Sequence, residues 1–245
     1  MLRTAGNRVT WLGHATFQIT TASGKVVVID PWIEGNPVFP VALKPLPRVD
    51  LILVTHGHGD HTGDVVSLAQ AHSAPVLAVY ELAMWFASKG VANIIPMGKG
   101  GTTRAGDVEV TMVHAIHSSS MDDGGKTVYG GEPTGLIVRL PGGFTLYHAG
   151  DTCVFGDMKI IGELYKPDLA CLPIGDHFTM GPREAAYAIR LLGVQHVIPI
   201  HYGTFPMLTG TPAALRELTQ DIAGLEIYAL KPGESVGEHE RTAAR

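Results

Sequence analysis

Residues 51–64, LILVTHGHGDHTGD, constrain the fold more than any other stretch of the chain. A run of aliphatic and β-branched residues, the composition of a buried strand, is followed over the nine residues from His56 to Asp64 by three histidines and two aspartates separated by glycines. A segment that has just formed an interior strand must therefore deliver titratable side chains where the strand ends.

Short Val- and Ile-rich runs recur at 26–30, 76–79, 108–114, 135–140, 144–147, 169–174 and 196–200, most of them bounded by Gly, Pro or Asp, and they read as strands. Between them, 63–72, 81–89, 158–165, 182–192 and 212–223 read as helices. Pro182 and Pro212 suit a first helical turn, where the missing N–H is no loss. No repeat of fixed period is found, and the alternation suits layered sheets covered by helices on their outer faces. The segments 98–101 and 122–126 read as exposed turns rather than linkers. The whole chain, 1–245, is expected to be a single domain whose last residues, 233–245, form a flexible polar tail.

With 45% apolar and 17% charged residues, 245 residues can bury a sizeable core. The formal charge of −5 comes without blocks of either sign, so the basic stripe of a nucleic-acid binder is missing and no nucleic-acid partner is expected. Neither a signal-peptide core nor a run of about 20 apolar residues is present, which predicts a soluble, cytoplasmic protein without a membrane partner. Cys153 and Cys171 form no CxxC pair and fit a reduced compartment.

In His56-x-His58-x-Asp60-His61 the ligand types are those of zinc and similar divalent ions, and Gly57 and Gly59 are expected to let the backbone turn tightly so that the side chains converge. A structural zinc finger would need cysteines or a closed set of four ligands. A solvated loop would suit a lone His-x-His, but it gives no reason for three unpaired histidines beside an aspartate. Ligands drawn from several strand ends can meet at one sheet edge.

Ile29-Asp30-Pro31, Thr55-His56-Gly57-His58-Gly59-Asp60-His61, Tyr147-His148-Ala149-Gly150-Asp151-Thr152, Leu172-Pro173-Ile174-Gly175-Asp176-His177-Phe178-Thr179-Met180 and Pro199-Ile200-His201-Tyr202-Gly203-Thr204-Phe205 occur in that order. Together, over about residues 8–232, the chain resembles the metallo-β-lactamase superfamily, in the branch of bacterial and archaeal metal-dependent hydrolases similar to L-ascorbate-6-phosphate lactonase. The resemblance implies an α/β fold, a four-layer αββα sandwich. It implies a first metal on His56, His58 and His117, a second on Asp60, His61 and His201, and a bridge from Asp151.

Two divalent ions are thus expected, zinc foremost, with Mn, Fe, Co or Ni as alternatives. The expected chemistry is attack by a hydroxide carried on the ions, with Asp60 and Asp151 as the catalytic carboxylates and Asp60 relaying a proton to the leaving group. This accounts for the absence of a G-x-S-x-G nucleophile motif. The expected substrate is a small-molecule lactone, ester or phosphoester; a metal-dependent nuclease and a non-catalytic metal-binding protein are the alternatives. By analogy with the family, a homo-oligomer is an open expectation.

Further polar residues are expected around the site or in its second layer. His14 is either a contact of the ligands or substrate or a satisfied core histidine. His148 either orients a ligand or is a hydrogen-bonded strand residue. Asp176 and His177 either wall the pocket or belong to a helix-entry loop. His114 is read as a strand residue, Cys153 as a small loop residue, and Trp11, Trp32 and Trp85 as packing residues. Lys126, Lys159 and Arg183 are the cations available to a phosphorylated substrate.

Overall fold

A computed structural model describes residues 2–237. The chain first lays down β1 (Arg8–Trp11), β2 (Phe17–Thr20), β3 (Val26–Ile29), β4 (Leu51–Leu53), β5 (Val76–Val79) and β6 (Ile94–Met97), with α1 (Gly59–Thr62) and α2 (Val65–His72) between β4 and β5 and α3 (Tyr80–Ser88) between β5 and β6. It continues through β7 (Thr102–Ala105), β8 (Val108–His114), a small hairpin of β9 (Ser120–Asp122) and β10 (Thr127–Tyr129), β11 (Thr134–Arg139) and β12 (Thr145–His148). Then α4 (Met158–Tyr165), β13 (Leu169–Pro173), α5 (Pro182–Leu192), β14 (His196–Ile200), α6 (Pro212–Glu217), β15 (Glu226–Ile227) and β16 (Ser235–Val236) follow.

Two seven-stranded sheets result, ordered β16-β1-β2-β3-β4-β5-β6 and β15-β14-β13-β12-β11-β8-β7. Each begins as an antiparallel meander and ends in parallel strands. Side chains alternate along the second sheet with the period of two that a strand imposes. Val110, Met112, Leu136, Val138, Leu146 and Ile198 join a core shared with the first sheet, α2 and α3. The intervening Val113, Ile137, Tyr147, Ala170, Leu172 and Val197 pack under α4, α5 and α6. This is the expected αββα sandwich. A fully buried member such as Leu136 contributes about 1.5–3 kcal/mol relative to exposure.

Helix α5 shows how local sequence serves these layers. Pro182 opens it, Ala185, Ala188, Ile189 and Leu192 recur on one buried face, and Gly193 closes it at φ +65° while donating its N–H to the Ile189 carbonyl. Pro199 is tolerated inside β14 because the two-residue β15 pairs only with His196 and Val197, so among the described residues no ladder needs its N–H on that side.

The topology also decides where the strand ends lie. Strands β1 and β3 run the same way, since both are antiparallel to β2, and β4 is parallel to β3. Likewise β8 and β12 are both antiparallel to β11, and β13 and β14 are parallel to β12. The residues that follow β1, β3 and β4, and those that follow β8, β12 and β14, therefore leave each sheet at one edge. Thr134 joins these edges by donating its N–H and hydroxyl to the Thr55 carbonyl, at 3.0 and 2.9 Å.

Three expectations are corrected. The segment from residue 233 is not simply a free tail, because Val236 and Ser235 pair with Val9 and Thr10 of β1; residues 238–245 of that expectation lie outside the described residues. The helix expected over 63–72 is α2, which starts at Val65, and a separate one-turn α1 ahead of it carries Asp60 and His61; the helix expected over 212–223 ends already at Glu217. Among the described residues, no helix is long and apolar enough to cross a membrane.

Candidate metal centre

His56 and His58 lie in the loop after β4, with His58 capping the N-terminus of α1. Gly57 is required there: a Cβ on it would stand 2.8 Å from Met121 Sδ and 3.1 Å from the Ser120 carbonyl oxygen of the β9–β10 hairpin. Gly59, expected to play the same part, does not: a Cβ on it would meet nothing within 4 Å, and it has ordinary helical backbone. Ser119 secures the loop by accepting the Gly57 N–H at 3.1 Å and donating to the Gly130 carbonyl at 3.2 Å. His117, Asp151 and His201 come from the loops after β8, β12 and β14. Gly150 lets the Asp151 loop close, at φ +61°, where a Cβ would lie 2.8 Å from the Thr134 carbonyl oxygen.

The seven expected ligands converge. His56, His58 and His117 offer ring nitrogens within 4.8 Å of one another, and within the same distance of one another lie a carboxylate oxygen of Asp60 and ring nitrogens of His61, His201 and His14. His56 Nε2 is 3.0 Å from His58 Nδ1. Asp151 lies between the sets: one carboxylate oxygen is 3.0 Å from His201 Nε2, 3.6 Å from His117 Nε2 and 3.9 Å from His56 Nε2, and the other is 3.4 Å from His61 Nε2.

Several of these atoms are buried without a hydrogen-bond partner, namely His61 Nε2, both nitrogens of His201 and Asp151 Oδ1. The close approaches of His201 and His61 to Asp151 lack hydrogen-bond geometry. Buried, unsatisfied polar atoms cost about 1–3 kcal/mol each, so a concentration of them on imidazole and carboxylate groups that lie together is a donor set that fits divalent cations.

The surrounding groups orient the ligand lone pairs. Asp30 accepts the Thr55 N–H at 2.8 Å, the Thr55 hydroxyl at 2.6 Å and His61 Nδ1–H at 2.8 Å, which leaves His61 Nε2 facing inward. With its proton committed to Asp30, Thr55 Oγ1 accepts from His56 Nδ1 at 3.0 Å, and His56 Nε2 likewise faces inward. Asp30 also lies within reach of His56 and His61 as a possible ligand set, but these bonds engage both of its oxygens. Sequence reasoning assigns no role to Asp30, Thr55, Ser119 or Thr204. A signal was present for Asp30, Thr55 and Thr204, which lie inside the motifs that carry the resemblance, Asp30 as an acid at a strand end; Ser119 follows His117 by two residues.

Electrostatics follow from burial and charge. Burial holds His56, His58 and His117 below the ordinary histidine pKa, the neutral form a metal requires, with neighbouring histidines adding to it. Burial would lower His61 too, but the carboxylates of Asp151 and Asp30 outweigh it and carry His61 well above the usual value. Burial would raise Asp151 and Asp60; instead His201 and His61 hold Asp151, and His14 and His61 hold Asp60, well below the usual carboxylate range.

The remaining candidates are placed as follows. His14 is buried, with Nε2 3.0 Å from Asp60 Oδ2, and burial lowers its pKa to about 4. His148 is buried, donates Nε2–H to the Ala15 carbonyl at 3.0 Å and accepts the Gly150 N–H at 3.1 Å, so it braces the residue before Asp151. Asp176 and His177 are exposed at φ +67° and +58°, and no hydrogen bond or ion pair of theirs among the described residues reaches the seven. His114 is an exposed strand residue against Lys99. Cys153 is exposed, its N–H on the Ile116 carbonyl. Trp32 is buried, but its ring packs against His14 and Phe205, beside the site. Lys159 pairs with Glu163, Lys126 occupies the β9–β10 turn and Arg183 the first turn of α5.

Comparison with known proteins agrees in fold and extent. A family model described as Beta-lactamase superfamily domain matches residues 25–202. A UPF0173 metal-dependent hydrolase of Rubrobacter xylanophilus is 52% identical over 234 residues, covering 95% of this chain and 97% of that protein. One from Koribacter versatilis is 50% identical over 230 residues, covering 94% and 97%. Among solved structures, Igni18, described as a novel metallo hydrolase from the hyperthermophilic archaeon Ignicoccus hospitalis, superposes with a TM-score of 0.83 at 32% identity, covering 94% of this chain and 97% of that one.

Proposed function

This chain belongs to the metallo-β-lactamase superfamily, and we propose that it is a metal-dependent hydrolase with a dinuclear centre, acting on a small-molecule lactone, ester or phosphoester. The observation that carries this reading is the position of Asp151, whose carboxylate approaches His56 and His117 of one histidine set and His61 and His201 of the other. His56, His58 and His117 would hold one divalent cation, Asp60, His61 and His201 a second, and Asp151 would be shared. Imidazole-rich donors favour zinc, with Mn, Fe, Co or Ni as alternatives. Such a pair, when bound, supplies Lewis acidity and a water acidified towards neutral pH.

The chain's own residues do the rest. Asp30 and Thr55 keep the histidine lone pairs inward, and buried His148 holds the Gly150 N–H beside Asp151. The Asp151 side chain is 3% exposed and is confined to holding, whereas Asp60 is 26% exposed and can take a proton from the attacking water and relay it to a departing oxygen. A small-molecule substrate in the cytoplasm fits the charge balance, which lacks the basic stripe of a nucleic-acid binder, and the relatives described as metal-dependent hydrolases support a hydrolytic reaction.

The test is metal analysis of the purified protein followed by a panel of lactones, esters and phosphodiesters, with and without His58→Ala. Turnover that needs metal and is lost in His58→Ala supports the reading. A fully loaded protein inert on the whole panel points instead to a metal-binding protein, and salt-sensitive RNA affinity with RNA cleavage points to a nuclease.

A further inference from the structure

The turn between β1 and β2 contributes to the centre although the seven expected ligands lie elsewhere. It is built against backbone preference, with Gly13 at φ +100° and His14 at φ +55°. The His14 carbonyl accepts the His201 N–H at 3.1 Å and Trp11 Nε1–H at 2.9 Å, and the Ala15 carbonyl accepts His148 Nε2–H at 3.0 Å. The turn is thereby tied to the His201 loop directly and to the Asp151 loop through His148.

The ring of His14 is engaged at both nitrogens. Nε2 is 3.0 Å from Asp60 Oδ2, and Nδ1 is 3.0 Å from Thr204 Oγ1, three residues beyond His201. An ionised carboxylate only accepts, so Nε2 carries the proton; in the neutral ring Nδ1 then accepts, and the Thr204 hydroxyl donates to it. With both nitrogens occupied, His14 has no lone pair left to offer a cation, although it lies within ligand distance of Asp60, His61 and His201.

We propose that His14 is a positioning residue of the second cation site: it fixes the Asp60 carboxylate through Nε2–H, and Thr204 fixes the His14 tautomer through its hydroxyl. This rests on the reading of the centre as a two-cation site.

The test is titration of the metal-free full-length protein with Zn²⁺ in competition with a chelator, for the wild type, His14→Ala, His14→Gln, Thr204→Val and Thr204→Ser, with circular dichroism of each metal-free variant to establish folding. The first cation should bind with unchanged affinity throughout. The second should bind about 10–100-fold more weakly in His14→Ala and Thr204→Val, and His14→Gln, whose amide N–H can replace Nε2–H, and Thr204→Ser should recover most of the loss.

The proposal is overturned if the second affinity is unchanged in His14→Ala. It is overturned equally if both cations weaken together, the mark of a general structural role. Loss in His14→Ala with Thr204→Val and His14→Gln giving no effect and no rescue would make His14 a direct ligand and also overturn it. Because Thr204→Val leaves the turn itself untouched, it keeps the test decisive should His14→Ala fail to fold. A wild type that takes up fewer than two cations would instead sink the underlying two-cation reading, and this inference with it.

Discussion

Asp30 accepts three hydrogen bonds, from the Thr55 N–H, the Thr55 hydroxyl and His61 Nδ1–H, and so uses its whole carboxylate to hold two neighbours. Asp30→Ala should weaken metal binding about 10–100-fold, as loss of a group that orients a ligand does, and should lower the melting temperature of the metal-free protein because the buried Thr55 N–H is left unpaired. Chelator competition and a thermal melt measure the two effects separately. Asp50 is a purely structural counterpart. Burial would raise its pKa, but Arg48, the Val26 N–H and Lys25 outweigh that and bring it down to about 2. Since the folded value is depressed, its stabilising contribution is complete above the unfolded value of 3.8 and is lost as pH falls through about 2. The difference in melting temperature between the wild type and Asp50→Asn should therefore be constant from pH 7 to about 5 and shrink between pH 4 and 2; a difference that stays constant to pH 2 would contradict it.

Among the elements, the loop from His56 into α1 separates two glycines that look equivalent in the sequence. Gly57 faces Met121 and the Ser120 backbone, whereas Gly59 faces open space in helical conformation. Gly57→Ala should destabilise by about 1–3 kcal/mol, the usual cost of overpacking, while Gly59→Ala should stabilise by about 0.4–1 kcal/mol by restricting the unfolded chain. Denaturant melts of the two variants should move in opposite directions. Elements with strong apolar patterns were legible from sequence: β8, β14, α4 and α5 have the predicted bounds. Among the strands that escaped notice, β7 (TTRA), β9 (SMD) and β10 (TVY) are short, polar or exposed, and only their partners across the sheet make them strands, whereas β1 (RVTW) and β2 (FQIT) are mostly buried but too short and mixed in composition to stand out. The segment 122–126, read as a turn, is what joins β9 to β10.

For the whole molecule, a centre whose donors come from both sheets should couple metal binding to global stability. Adding Zn²⁺ to chelator-treated protein should raise the melting temperature, by an amount equivalent to about 2.7 kcal/mol when free metal stands at 100 times Kd, and His117→Ala should remove much of the rise; an unchanged melting curve in the wild type would refute the coupling. The types of ligand, the eight strongest strands and the layered class were set by the sequence alone, because residue chemistry and hydrophobic period are local properties that need no knowledge of distant segments. Convergence was not local. That His117, Asp151 and His201 meet the glycine-spaced histidines depends on the paired reversals β1-β2-β3 and β8-β11-β12, which send six strand ends to the same edges, and on Thr134 bonding across to Thr55. The supporting parts played by Asp30, His14 and Thr204 were decided only there too, since a hydrogen bond between residues 46 or 190 positions apart exists only once the chain has folded.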